Sequence, residues 1–346
     1  MTRAEIERLR ERARALLPAH VFDYVAATAD GSSEAEADRW DAVRFRPAAL
    51  RGELDAQVAT TVLGTPVDHP ILLAPMAQQV AAHPDGEIEM ARAAAASGTL
   101  IGVSTNTAIP FARIAEQGAP WWFQTYLLAE PALTWALAER AAEAGAAAIL
   151  LTVELTALRV EPHVEPVNWP EGPARARLAN LTADERALLG DRPARNPGLD
   201  DIARLRDVTG LPVVVKGVLR GDDARRAVDA GAAGVVVSTH GHRRLAGSIS
   251  AVDALGEVVE AVGADAEVSV DSGIRDGRHV LAALALGARA VFVGRPAWWA
   301  LAADGADGVA RLLDGMADEL RLALLQAGVA TGAEASAARL ARVTGW

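Results

Sequence analysis

The 346-residue chain contains no cysteine. That excludes disulfides, thiol nucleophiles and cysteine-ligated metal or iron–sulfur centres. Its 34 basic residues include a single lysine, Lys216, and its only tyrosines are Tyr24 and Tyr126. No uninterrupted apolar run reaches the roughly 18 residues of a membrane span. The stretch from Met1 to Pro18 reads as a charged helix and not as a secretory leader. A net charge of −11, with no basic stripe to neutralise phosphates, argues against nucleic acid as a partner. With 51% hydrophobic and 23% charged residues the chain is globular, and the cytoplasm is its expected compartment.

The lone lysine is the sharpest feature. Arginine serves wherever a surface cation is enough, so the position that kept lysine asks for a compact ammonium, which a planar guanidinium cannot replace. Lys216 lies in Pro212-Val213-Val214-Val215-Lys216-Gly217-Val218, an apolar β-branched run that reads as the end of a buried strand. Similar runs fall at 71–77, 100–105, 121–126, 147–153, 234–238, 267–271 and 290–294. Helical patterns lie between them at 85–97, 131–144, 222–230, 252–262 and 278–286. Three helix-to-strand junctions share one spelling around Gly145, Gly231 and Gly287, each a glycine just past a helix end. Alternation repeated about eight times predicts a (β/α)8 TIM barrel, with a doubly wound sheet as the alternative.

The pattern predicts one domain over 1–346. Residues 1–70 are expected as helices capping the barrel, 71–300 as the barrel itself and 301–346 as a helical region. Residues 154–199, rich in Pro, Arg and Glu, form a long excursion from the end of the fourth strand, where lid loops are found. Trp298-Trp299 is expected in the core or at a subunit interface.

In a barrel of this kind chemistry collects at the C-terminal strand ends. There the sequence places Ser238-Thr239-His240-Gly241-His242-Arg243-Arg244, then Asp271-Ser272-Gly273-Ile274-Arg275, then Gly294-Arg295-Pro296. Glycine turns carrying arginines after the seventh and eighth strands point to a phosphorylated ligand, with Lys216 and His240 facing it. His240-Gly241-His242 also offers metal-ligand spacing, which Lys216, His163 and Asp271 could complete. Its late position on the sixth strand weighs against that reading, and no metal is expected. His20, His69 and His279 are taken as surface or structural residues.

Taken in order, Val21-Phe22-Asp23-Tyr24, Ala74-Pro75-Met76-Ala77, His83-Pro84-Asp85-Gly86-Glu87, Phe123-Gln124-Thr125-Tyr126, Leu151-Thr152-Val153-Glu154 and the Lys216, His240, Asp271 and Gly294 segments resemble the FMN-dependent 2-hydroxy acid oxidase and dehydrogenase family. That family includes glycolate, lactate and mandelate oxidases. The resemblance implies FMN as cofactor and oxidation of a 2-hydroxy acid to the 2-oxo product. It implies His240 as general base, Glu154 as the carboxylate that orients it, and Lys216 beside flavin N1 and O2. Tyr24, Tyr126 and Arg243 would meet the substrate. Arg275 and Arg295, with the Gly273 and Gly294 turns, would bind the phosphate. Pro75, Met76, Ala77, Ser104, Gln124, Thr152, Ser238 and Asp271 would line the flavin. It further implies oxygen or another electron acceptor as the second substrate and a homo-oligomer, by family habit a tetramer.

The substrate half departs from the family. A second arginine usual after the fourth strand is replaced in simple register by Glu161, although Arg159 could serve if the loop shifts. Asn106 stands where glycolate oxidase has tryptophan. Simple glycolate or L-lactate is therefore not the expected substrate. Oxidative deamination, decarboxylation or isomerisation on a retained flavin, and a non-catalytic flavin-binding protein, are the alternatives.

Overall fold

Residues two apart on a strand face the same side, and that period divides the strands' apolar residues into two separate cores. The computed structural model describes residues 1–29, 34–154, 178–189, 195–336 and 340–342. Its barrel strands are β1 (Ile71–Leu73), β2 (Ile101–Ser104), β3 (Trp121–Thr125), β4 (Ala148–Thr152), β5 (Val213–Val218), β6 (Gly234–Val237), β7 (Glu267–Val270) and β8 (Ala290–Val293). They close in sequence order, every neighbour parallel. One set of side chains, including Leu72, Trp122, Leu150, Val214, Val236 and Phe292, fills the interior. The alternate set, including Ile71, Val103, Phe123, Leu151, Val215, Val235 and Val293, belongs to the core shared with the surrounding helices.

Each strand leads into a helix: Gly86–Ala96, Phe111–Ala115, Pro131–Glu143, Leu199–Thr209, Gly221–Asp229, Ala251–Val262, Gly277–Ala285 and Arg295–Ala327. The fold is the predicted (β/α)8 barrel. The repeated glycines 145, 231 and 287 have φ of 93°, 101° and 100°, which closes each helix and turns the chain into the next strand.

Several boundaries differ from the sequence reading. β1 stops at Leu73, not at 77, because Pro75 has no N–H for the ladder. The helix after β2 has only five residues, too short to leave a periodic signal. Residues 1–70 are helical only as far as Asp41, in Arg3–Leu16, Ala19–Ala26 and Ala35–Asp41. Beyond that, Val43–Phe45 pairs antiparallel with Leu340–Arg342, so the C-terminal region is not helical throughout either. Thr60–Val62 and Thr65–Val67 form a hairpin around Leu63 and Gly64, both at positive φ. Val62 and Val67 pack onto the interior core and close the N-terminal end of the barrel. The excursion after β4 includes a helix at Ala183–Leu189 and returns through Leu199–Thr209, which completes the fourth unit. Of the predicted lid, 154–199, residues 155–177 and 190–194 lie outside the described residues. Trp298 and Trp299 are buried in the core.

Candidate active site

Two residues beyond each interior position, the same face carries Ala74, Ser104, Gln124, Thr152, Lys216, Ser238, Asp271 and Gly294. The barrel's period therefore gathers a polar ring at its C-terminal mouth. The ring is bonded to itself: Gln124 Nε2 donates to Thr152 Oγ1 at 3.0 Å, and Lys216 Nζ donates to Ser238 Oγ at 2.8 Å. Ser104 Oγ accepts from the Asn106 N–H at 3.2 Å. Pro75, Met76 and Ala77 follow β1 directly, and Met76 Sδ lies 3.2 Å from where a Cβ on Gly294 would stand.

One carboxylate organises the centre. Glu154 Oε1 accepts from His240 Nδ1 at 2.6 Å and from Lys216 Nζ at 3.2 Å. Burial alone would raise the Glu154 carboxyl, but Lys216 and His240 outweigh it and hold it at about 2. Burial would likewise lower the Lys216 ammonium, but Asp271, at 3.3 Å, and Glu154 raise it above its ordinary value. Burial and the Lys216 charge push His240 down, against the pull of Glu154. His240 is thus neutral at neutral pH, with its Nδ1 proton committed to Glu154 and an Nε2 lone pair available. Tyr126 is pushed up to about 12 by burial and by Glu154, so it stays a phenol that can donate.

The backbone makes room for this carboxylate. β5 bulges between Lys216 and Val218, and Gly217 has a φ of 110°. A Cβ there would stand 1.9 Å from Glu154 Oε2. The glutamate side chain occupies the volume any other residue at 217 would need.

A second cluster is cationic. Arg275 and Arg295 are buried, and Arg295 Nη2 donates to the Gly241 carbonyl at 2.9 Å. Burial, then Arg275 and Arg243, depress the Arg295 guanidinium to about 9. Three guanidiniums gathered here, two of them buried, fit a bound anion of more than one charge. Arg243 stacks over the Tyr24 ring at 5.2 Å. Its Nη1 also donates to the carbonyls of Tyr24 and Ala27, at 2.8 and 2.9 Å, where helix Ala19–Ala26 ends. This helix tie was not legible in the sequence. Arg159, Glu161 and His163 lie outside the described residues.

The sequence reading missed other residues here. Glu36, buried, accepts from Thr239 Oγ1 at 2.7 Å and lies 3.6 Å from His242 Nδ1, so His242 faces the N-terminal segment. Its stretch, Ser33-Glu34-Ala35-Glu36-Ala37-Asp38, reads as an exposed charged helix and carries no signal of burial. Glu87 is wholly buried at the start of its helix. His279, read from the sequence as surface or structural, is buried.

A family model described as FMN-dependent dehydrogenase matches residues 13–342. The 4-hydroxymandelate oxidase of Amycolatopsis orientalis is 39% identical over 340 residues, 95% of each chain. The L-lactate oxidase of a Nostoc species is 39% identical over 325 residues, 88% of each chain. A solved mandelate oxidase variant with (S)-mandelic acid superposes with a TM-score of 0.89 at 38% identity, covering 100% of this chain and 99% of that one. Another, with 2-hydroxy-phenylacetamide, gives 0.88 at 38% identity over 97% of each chain.

Proposed function

Because the chain belongs to the FMN-dependent dehydrogenase family and is an FMN-dependent oxidoreductase of 2-hydroxy acids, we propose a division of labour among the residues at the barrel mouth. The observation that carries it is the Glu154 carboxylate held between Lys216 and His240. His240 is the general base: its Nε2 takes a proton from the substrate as the α-carbon is oxidised. Glu154 holds the ring in the tautomer that leaves Nε2 open and stabilises the imidazolium that results. Tyr126, a phenol at any working pH, donates to a substrate oxygen. Arg243, anchored by Nη1 to the helix end, offers its other nitrogens to the substrate carboxylate beside Tyr24.

FMN, when bound, supplies the two-electron sink. Lys216 would hold the flavin's pyrimidine edge as a permanent cation. Ser104, Gln124, Thr152, Ser238 and Asp271 would meet its polar atoms. Arg275 and Arg295 would take the phosphate, which answers the charge concentrated there. The electrons pass on to oxygen or another acceptor. Purified protein should be yellow, with one FMN per chain released on denaturation. Arg295→Ala should weaken FMN binding roughly tenfold to a hundredfold, the worth of one charge-assisted contact. A colourless protein that also takes up no added FMN would overturn this reading.

We propose an aryl 2-hydroxy acid as the substrate. Asn106 in place of a bulky side chain leaves space for a ring, and the similarity to enzymes named for mandelate and 4-hydroxymandelate favours one. Flavin reduction, followed without oxygen, should then be at least about tenfold more efficient with (S)-mandelate or 4-hydroxymandelate than with glycolate or L-lactate, the worth of one lost charge-assisted pair on a small acid. Equal or better turnover of glycolate would count against an aryl pocket.

We propose further that the chain works as one domain in which 1–70 cap the barrel and 301–346 brace it, and that it acts in the cytoplasm as a homo-oligomer. No described helix is long and apolar enough to cross a membrane. The exposed Leu322 and Leu325 on helix Arg295–Ala327 offer apolar surface for a second copy.

A further inference from the structure

The segment 34–41 touches the loops after β6 and β7 at every turn. Glu36 Oε1 accepts from Thr239 Oγ1, and Oε2 accepts from the Ala251 N–H at 3.2 Å. Trp40 Nε1 donates to the Ser272 carbonyl at 2.9 Å. A Cβ on Gly273 would stand 2.6 Å from the Glu36 carbonyl carbon, so backbone lies directly on backbone. Glu34 Oε1 accepts from Arg275 Nη2 at 3.3 Å. Asp41 also reaches this loop: His279 Nε2 donates to Asp41 Oδ1 at 3.0 Å, and His279 Nδ1 accepts from the Arg275 N–H at 3.1 Å. The ring's two nitrogens thus have fixed and opposite roles.

Asp41, Asp276 and His279 bring ligand atoms within 4.8 Å of one another, a spacing that suits a cation. Arginines already fill that place. Arg3 pairs with Asp41, and Arg278 pairs with Asp276 at 2.7 Å. Asp276 also caps helix Gly277–Ala285 by accepting from the N–H groups of Arg278 and His279. The cluster is an internal brace, and what it braces is the backbone of Arg275.

We propose that residues 34–41 are part of the cofactor-binding apparatus, holding the β6 and β7 loops ready for the phosphate, with His279 as the positioning residue between Asp41 and Arg275. The proposal rests on Arg275 and Arg295 being the phosphate end of the site. Its physical content is linkage: a segment that docks on the binding-competent loops must be stabilised by whatever those loops bind, and the reverse.

The test is FMN affinity, read by flavin fluorescence as apo-protein is titrated. His279→Gln can still reach Asp41 but takes the acceptor away from the Arg275 N–H. His279→Asn puts an oxygen near the place of Nδ1 and keeps it. Trp40→Phe removes the bond to Ser272. His279→Gln and Trp40→Phe should each bind FMN about tenfold more weakly, while His279→Asn stays within about threefold of the unaltered protein. FMN should also slow tryptic cleavage after Arg39 and Arg44 in the unaltered protein by about tenfold. Unchanged affinity in both weakened variants, or equal losses in His279→Gln and His279→Asn, would overturn the proposal while the function stands. Failure of the unaltered protein to bind FMN would overturn the function itself. Should His279→Gln not fold, Trp40→Phe and the protection of the unaltered chain still decide: no FMN protection means no linkage.

Discussion

Flavin reduction in a His240→Ala variant should fall by about 10²–10⁴, the range for a lost general base, while FMN stays bound. The separation of the two effects follows from the geometry. Among the described residues, His240 is bonded to the polar residues around it through Glu154 and its own backbone N–H, which donates to Ser238 Oγ at 3.0 Å. Alanine keeps that backbone bond. Removing imidazole leaves Glu154 still paired with Lys216 at 3.2 Å, so no buried charge is stranded. Stopped-flow bleaching of the flavin by mandelate, without oxygen, measures the step directly. A variant that reduces its flavin at the normal rate would move the role of base to another group.

The second large effect concerns pH and a residue outside the chemistry. Glu87 is wholly buried, and burial raises its carboxyl to about 7, opposed only weakly by its own backbone and the Thr107 hydroxyl. Among the described residues no well-formed hydrogen bond reaches either oxygen, and no charged side chain offsets the burial. The folded protein therefore keeps this proton where the unfolded chain has lost it. Stability is full below the ordinary glutamate value near 4.5 and is lost as pH rises toward 7. The window of about 2.5 units corresponds to roughly 3 kcal/mol. Glu87→Gln, which mimics the protonated form and cannot ionise, should match the unaltered protein near pH 4.5. It should become more stable by up to that amount at pH 8. Urea unfolding at several pH values reads the difference, in which all other titrations cancel. A difference that does not change with pH would mean that Glu87 is ionised in the fold.

What the sequence made legible is what is local or scarce. Strands such as Val213–Val218 announced themselves by β-branched runs, and period two then carried Ser104, Gln124, Thr152, Lys216, Ser238 and Asp271 to one mouth without further information. Lys216 stood out because nothing else in the chain resembles it. The illegible part depends on partners distant in sequence. Glu36 lies 203 positions from Thr239, and Arg243 lies 219 from Tyr24. No spacing rule connects such pairs, and an acidic run that ends up under two loops has the same composition as one left in solvent. The bulge at Gly217 was equally hidden, since a glycine in a strand marks a close approach without saying by what.

That bulge constrains how this chain can vary. The side chain at 154 and any side chain at 217 compete for one volume, so the effect of a substitution at 217 depends on the residue at 154. A bulkier residue at 217 is closed to this lineage while glutamate is held. A shorter acid at 154 removes the contact with the carboxylate, but a Cβ at 217 would still stand 2.9 Å from the Cβ at 154, and an L-residue would still sit at a φ of 110°. Substitutions at the two sites are therefore coupled: what position 217 tolerates depends on what stands at 154.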